Sequence, residues 1–269
     1  MEPFIHLHVH TQYSLLDGQA SIDALIDKAH KDGMRAIAVT DHGVMFGIKE
    51  FFNKVNKKNS KYKDTIKKAQ KELDKINSQA EPLTEEDNQK KAELEKQIQE
   101  AEASIFKPII GCECYCARHG RHSKLATQDD RSGWHLIVLA KNLNGYKNLI
   151  KMVSLSWTEG FYGRPRIDKE LLEQYHEDLI VCSACLGGEI PQLIMKGQLK
   201  QAEESVLWFK NLFGDDYYLE MQRHETHDPN ADCTIFPHQQ EVNKVLVELA
   251  HKHQIKLIAT NDVHFVNEE

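Results

Sequence analysis

Short apolar runs recur along the chain, separated by amphipathic stretches. The runs are FIHLHVH (4–10), AIAVTDH (36–42), PIIGCECYC (108–116), HLIVLA (135–140), LIVCSAC (179–185), YYLEMQRH (217–224) and KLIATNDVH (256–264). Each is short and rich in Ile, Val and Leu, as a buried strand is. Between most of them, apolar residues fall three and four apart. That spacing predicts helices near 21–32, 144–156, 168–176, 188–196, 198–212 and 238–254. Ser21 offers a cap for the first helix and Gly33 a stop. Alternating strands and helices predict a mainly parallel sheet. Seven strands suggest an α/β fold closed, or nearly closed, into a barrel.

Residues 57–105 break this pattern. They contain no Gly and are crowded with Lys, Glu, Gln and Asp. Ile66, Ala69, Leu73 and Ile76 form one narrow apolar stripe, and Leu94, Ile98, Ala101 and Ile105 another. The stretch 80–83, with Pro82, separates them, and Thr84 with Asp87 resembles a capping box. The reading is an antiparallel helical hairpin, 57–106, inserted into the barrel. An inert surface insertion is the simpler account of it, and a partner-binding element the alternative.

Polar, metal-capable groups gather where the predicted strands end. The second run finishes in Asp41-His42, the third carries Glu113, and the fifth ends near Cys185. The sixth ends in Arg223-His224 and the seventh in Asp262 and His264. In β/α barrels, sites are built at the C-terminal strand ends. His135 is the exception, because it opens its run rather than closing it. In the first run His6, His8 and His10 alternate and are expected to share a face, with Leu7 and Val9 turned toward packing helices. A single inward histidine is usually a hydrogen-bonded core residue. Three in register are costly to bury unless they bind something. Neutral imidazole suits zinc, iron or manganese. Carboxylates beside imidazoles favour a hydrolytic site with more than one metal, which can clamp attacking and leaving oxygens in phosphoryl displacement.

Composition narrows the classes. The chain of 269 residues is 41% hydrophobic and 28% charged, with a net charge of −7. That balance argues against a surface that coats nucleic acid generally. No apolar stretch approaches a membrane span. The first residues lack the pattern of a signal peptide, so a cytoplasmic location is expected. The six cysteines are then expected to be free thiols or ligands. A zinc ribbon on Cys112, Cys114, Cys116, Cys182 and Cys185 is disfavoured, because CxCxC alternates along a strand and cannot easily wrap one ion. No Walker loop, GxGxxG or GxSxG is present.

Taken together, HLHVHT (6–11), YSLLDG (13–18), AVTDHG (38–43), GCE (111–113), CLGGEIP (185–191) and TNDVH (260–264) resemble the PHP (polymerase and histidinol phosphatase) family. Within it, they resemble the PHP domains of bacterial replicative polymerases, a subgroup that GFYGRPRID (160–168) also fits. The resemblance spans the chain, 1–269, apart from the hairpin. It implies a distorted (β/α)7 barrel with two or three divalent metal ions, for which Zn, Mn and Fe are equal candidates. Position by position, it implies the ligands His8, His10, Asp17, His42, Glu113, His135, Cys185, Asp262 and His264. His6 stands where many members have Asp and is expected behind the ligands.

The implied activity is phosphodiester hydrolysis, with Glu113 bridging metals and Asp262 holding a metal or orienting the nucleophile. A 3′-to-5′ proofreading exonuclease is the sharpest form of that reading. Arg164 and Arg166 would contact phosphate or form surface salt bridges. One alternative is a metal-stabilised scaffold for the polymerase and a separate proofreading exonuclease. Another is a small-molecule phosphatase resembling histidinol phosphatase. The implied partners are a DNA primer 3′ end, the remaining polymerase domains and that exonuclease. The chain stops just after its last metal motif, so polymerisation itself is not expected of it.

Overall fold

The computed structural model describes residues 4–78, 84–125, 127–226 and 233–267. Its strands are β1 (Ala36–Val39), β2 (Lys107–Cys116), β3 (Trp134–Ala140), β4 (Arg166–Ile167), β5 (Leu179–Cys182), β6 (Tyr217–Met221) and β7 (Lys256–Ala259). Its helices are α1 (Ile22–Lys31), α2 (Ile48–Asn77), α3 (Glu85–Ala103), α4 (Gln128–Ser132), α5 (Leu143–Thr158), α6 (Lys169–Tyr175), α7 (Glu189–Met195), α8 (Leu199–Phe213) and α9 (Ile235–His253). The sheet runs β1-β2-β3-β5-β6-β7, with β4 paired to the end of β2. All pairings are parallel except the two made by β3. Among the described residues, no helix is long and apolar enough to cross a membrane.

The first apolar run is not a regular strand. It is an extended segment that closes the barrel between β1 and the chain after β7. Ala38 N–H donates to His6 O at 2.9 Å and Thr40 N–H to Val9 O at 2.8 Å. Val263 N–H donates to His8 O, and His10 N–H to Val263 O. From His6 to Val9 is three residues, matched by two from Ala38 to Thr40. The extra residue is a bulge, and a bulge resets which side each side chain faces. Leu7 therefore packs inside the barrel with Ile109, Ile180 and Ile258, while Val9 packs outside with α1 and α2. The expected single face for His6, His8 and His10 does not form. His6 lies against Phe4 and feels the charges of Asp32 and Lys28, at the α1 side.

Two larger cores flank the sheet. One joins Cys112, Cys114, Cys116, Val138 and Val181 to α5 through α9, and the other joins Ile37 and Val39 to α1 and the start of α2. Cys112, Cys114 and Cys116 are buried free thiols in the first core. A cavity of about 870 Å³, lined by Leu7, Ile109, Leu139, Ile180, Tyr218 and Ile258, occupies the barrel mouth where β2, β5 and β6 begin.

The inserted hairpin is present, but its first helix starts at Ile48 rather than near 57. The opening turns of α2 bury Ile48, Phe51 and Val55 against the barrel. Farther out, Ala69, Leu73 and Ile76 meet Leu94 and Ile98 of α3. Thr84 and Asp87 form the expected capping box, while the separating stretch 80–83 lies outside the described residues. Asn59 fastens the base, donating to Phe106 O at 2.7 Å and accepting from Phe106 N–H at 3.0 Å. Ile105 follows the helix rather than belonging to it.

Candidate metal centre

The reversed direction of β3 explains the odd position of His135. An antiparallel strand brings its N-terminal end to the mouth where its parallel neighbours finish. His135 thus arrives beside Glu113 of β2 and Cys185, just past β5. The turn after β5 is shaped for this. Ala184 has φ +63°, which swings the chain so that Cys185 enters the mouth. Gly187 lies flat on the imidazole, where any Cβ would sit 3.0 Å from the His135 ring. The bulged segment delivers His8 and His10, the loop after β1 delivers His42, and the chain after β7 delivers Asp262 and His264. Asp262 takes the left-handed φ of +50°, a conformation that Asp tolerates better than most residues. The Asp17 loop is held by close packing at Gly18, whose absent Cβ would fall 2.0 Å from Thr11 O.

Glu113, about 1% exposed, is the hub. Its Oε1 lies 2.5 Å from His135 Nδ1 and 3.6 Å from His8 Nε2. Its Oε2 faces His10 Nε2 at 3.5 Å and also His42 Nδ1. Asp262 Oδ1 lies 3.1 Å from His8 Nε2 and 3.2 Å from His10 Nε2. The His10 ring is sandwiched between those of His42 and His264, with centroids 4.0 and 4.3 Å away. Asp17 sits at the rim, 3.3 Å from His42 Nε2 and 3.9 Å from His264 Nε2. Three groups have ligand atoms close enough to hold a metal ion: His10, His42 and His264; His8, His10 and Asp262; and Glu113, His135 and Cys185. All nine residues implied by the sequence resemblance thus meet at one mouth.

Other residues orient this set. Glu220 Oε1 accepts from His8 Nδ1 at 2.7 Å, which turns Nε2 toward the cluster. Gln222 and Thr260 donate to the same oxygen. Asp41 accepts from Thr11 N–H, Thr11 Oγ1 and Ser14 Oγ, and Ser14 Oγ contacts His10 Nδ1 at 3.1 Å. Glu220 is missed by the sequence reading, which takes Arg223-His224 as the polar end of its strand. The signal was there: Tyr218, Glu220 and Gln222 alternate, and a glutamate inside an apolar strand needs a partner. His224 instead bonds Asn261 O and Gln239, outside the cluster.

The residues fit a cation. His8 Nε2, His10 Nε2, His42 Nδ1, Glu113 Oε2 and Asp262 Oδ1 are buried without a hydrogen-bond partner among the described residues. They lie near one another but not in hydrogen-bonding geometry. Buried polar atoms left unpaired are costly, and a shared cation answers all of them at once.

Without a cation, protons carry that charge. Burial alone would lower the His8 imidazole, but Glu220, Asp262 and Glu113 outweigh it and hold the pKa well above its ordinary value. His42 is raised in the same way, against its burial, mainly by Glu113. Burial wins at His10, whose pKa falls. Burial opposes ionisation of Glu113 and Asp262. Their histidines nonetheless hold Glu113 well below the usual carboxylate range and Asp262 at about 2. Burial first, then Glu113, pushes the Cys185 thiol up.

A pH dependence follows for the metal-free chain. Groups raised on folding, His8 and His42, stabilise fully below the ordinary imidazole value, near 6.5. That contribution is lost as pH rises through their folded values. His6 and His10, shifted down by burial, run the other way, but His8 is held well above its ordinary value and outweighs them. Metal-free protein should therefore melt lower at pH 9 than at pH 6.5, and a saturating divalent cation should remove the difference. Melting curves in chelator and in metal test this, and a metal-free melting temperature that is flat or rises with pH refutes it. A second expectation concerns Glu220→Gln. It keeps the hydrogen bonds but removes the charge behind His8, and should weaken metal affinity by about 10–100-fold. Competition with a chelating dye measures it, and unchanged affinity would count against the orienting role.

Residues 6–224 match the family model described as PHP domain. Over 99% of its length the chain is similar to DNA polymerase III alpha subunits: 41% identical to that of Borreliella burgdorferi, 38% to that of Aquifex aeolicus and 36% to that of Treponema pallidum. The chain spans 18% of the length of each of these relatives. The matched family model covers most of the barrel and most of the ionisable cluster at its mouth, and on that match the chain belongs to the PHP domain family.

Proposed function

We propose that residues 1–269 are the PHP domain of a bacterial replicative DNA polymerase alpha subunit, with the hairpin 57–106 inserted in it. Its mouth is a multinuclear metal centre that hydrolyses phosphodiesters at DNA ends, in the 3′-to-5′ direction. The observation that carries this reading is the convergence of His8, His10, His42, Glu113, His135, Cys185, Asp262 and His264, with Asp17 at the rim and several buried atoms left unpaired among the described residues. Those nine would hold two or three divalent ions, with Zn, Mn and Fe suited to the donor set. Bound there, such ions supply Lewis acidity and a water acidic enough to react near neutral pH.

The chain's own residues do the rest. Glu113, whose two oxygens face different imidazoles, is the ligand placed to be shared. Asp262, about 20% exposed at its side chain, is the carboxylate best placed to orient an incoming water. Below Glu113 the barrel interior is apolar, built from Ala38, Ile137, Leu139, Cys182 and Ala184. The partners implied are a primer 3′ end, the remaining polymerase domains and a separate proofreading exonuclease subunit.

The test is nucleotide release from 3′-labelled single-stranded DNA with Mn²⁺ or Zn²⁺ present. Release that chelator abolishes supports the reading. No release from folded, metal-loaded protein overturns it and leaves a metal-stabilised scaffold. A strong preference for a small phosphomonoester would point to a small-molecule phosphatase instead.

A further inference from the structure

The mouth of the centre carries a feature that metal binding does not use. At the end of α5, Trp157 donates its indole N–H to Gly43 O at 2.8 Å, one residue after His42. Its ring stacks on Phe161, with centroids 5.5 Å apart and planes 19° off parallel. Both rings remain open to solvent, Trp157 at 43% and Phe161 at 48% exposure. A ring pair serving only the core would be buried. This one is pinned at one edge and left bare.

Three residues on, Arg164 places its guanidinium 5.3 Å from the centre of the Tyr115 ring. Tyr115 in turn packs against His135 at 5.2 Å and His42 at 6.1 Å. Among the described residues Arg164 has no carboxylate within ion-pair distance, and it is half-buried. Among the described residues it is thus a cation held over the Tyr115 ring without a carboxylate partner, beside a cluster made of carboxylates and imidazoles. The neighbouring Arg166 is committed elsewhere, to backbone carbonyls.

An exposed aromatic stack, three residues along the chain from an arginine without a carboxylate partner among the described residues, matches the way single-stranded nucleic acid is held, with bases on rings and phosphates on cations. We propose that Trp157, Phe161 and Arg164 form a nucleotide subsite at the edge of the metal centre. The unstacked base lies on the Trp157–Phe161 pair and an adjoining phosphate on Arg164. A base inside a duplex cannot reach the rings, so the subsite selects single strands. The inference rests on the reading of the centre as a nucleic-acid phosphoesterase, and it assigns the grip rather than the chemistry.

Binding tests it without hydrolysis. A short oligothymidylate, titrated in chelator, should quench tryptophan emission saturably. Trp157→Phe should remove most of the quenching, leaving the signal of Trp134 and Trp208. Phe161→Ala, a change on an exposed loop, should weaken binding about 5–100-fold, the range of one lost stacking contact. Arg164→Gln should weaken binding and lower the slope of log affinity against log salt by about 0.7–1. An abasic strand of equal length and a duplex should both bind poorly. Melting curves confirm that each variant is folded.

Equal affinity of wild type and Phe161→Ala, or of the thymidylate and abasic strands, overturns the subsite. Quenching that survives Trp157→Phe also overturns it. Loss of hydrolysis with quenching intact strikes only the proposed reaction. Hydrolysis with an affinity indifferent to all three substitutions strikes only the subsite.

Discussion

Glu113→Gln is expected to lower metal-dependent phosphodiester hydrolysis at least about 100-fold, and metal affinity with it. The substitution keeps the shape of a side chain that is almost wholly buried at the centre of the cluster. It removes the negative charge that faces His8, His10, His42 and His135. Breaking a buried charge pair by deleting one partner costs about 3–5 kcal/mol, and each 1.4 kcal/mol is tenfold. The same change has a signature in metal-free protein. With Glu113 neutral, His42 loses its main reason to hold a proton, and His8 loses a contribution smaller than those of Glu220 and Asp262. The alkaline loss of stability should then shrink. Single-turnover release of a labelled nucleotide and melting curves against pH read the two effects separately. Wild-type rates in the mutant would remove Glu113 from the reaction, whatever else the centre does.

The second large effect is on folding. Arg166→Leu is expected to destabilise the chain by about 3–5 kcal/mol and to lower its melting temperature by roughly 10 °C. Arg166 is fully buried. Its Nε donates to Gly160 O at 3.0 Å, Nη1 to Asp130 O at 2.7 Å, and Nη2 to Arg121 O at 2.9 Å and Ser123 O at 2.8 Å. The carboxylate of Asp130, also fully buried, lies 3.7 Å away. Leucine fills part of the volume but leaves four carbonyls without this donor and removes the cation facing Asp130, whose carboxylate keeps Ser123, Leu125 and His119. Lysine reaches fewer of them, because one ammonium cannot replace a planar fork, so Arg166→Lys should fall between. Arg164→Gln, on the open side of the same loop, should leave the melting temperature nearly unchanged. Denaturant unfolding of the three variants checks the order. An Arg166→Leu midpoint at the wild-type value would show that water or neighbouring groups satisfy those carbonyls.

Arg164 and Arg166 show what sequence reading resolves and what it does not. Both are arginines in one short stretch, and on paper each suits a surface salt bridge better than a phosphate contact. Strand β4, only two residues long, turns Arg166 inward and leaves Arg164 outside. A two-residue strand has no periodicity to detect. The same limit hid the bulge between His6 and Val9, which sends His6 toward α1 while His8 and His10 enter the mouth. Alternation assumes an unbroken ladder, and a bulge is visible only where the neighbouring strand supplies the count.

The chain by itself determined the chemistry on offer and the local elements. Imidazoles and carboxylates at run ends, a capped first helix and a hairpin with its capping box are all written in residue type and short-range spacing, because caps and amphipathic faces depend on neighbours within a turn or two. The full set of nine candidate ligands came instead from the resemblance of short motifs to the PHP family, since spacing alone marked neither Asp17 nor the role of His135. Only the tertiary structure decided that β3 runs backward and so brings His135 to Glu113. It also decided that Glu220 stands behind His8, and that α2 reaches back to Ile48 to join the barrel core. Strand direction, register and the company of a buried charge are set by pairing between segments far apart in sequence. His8 and Glu220 are 212 residues apart, and no local pattern can carry information across that distance.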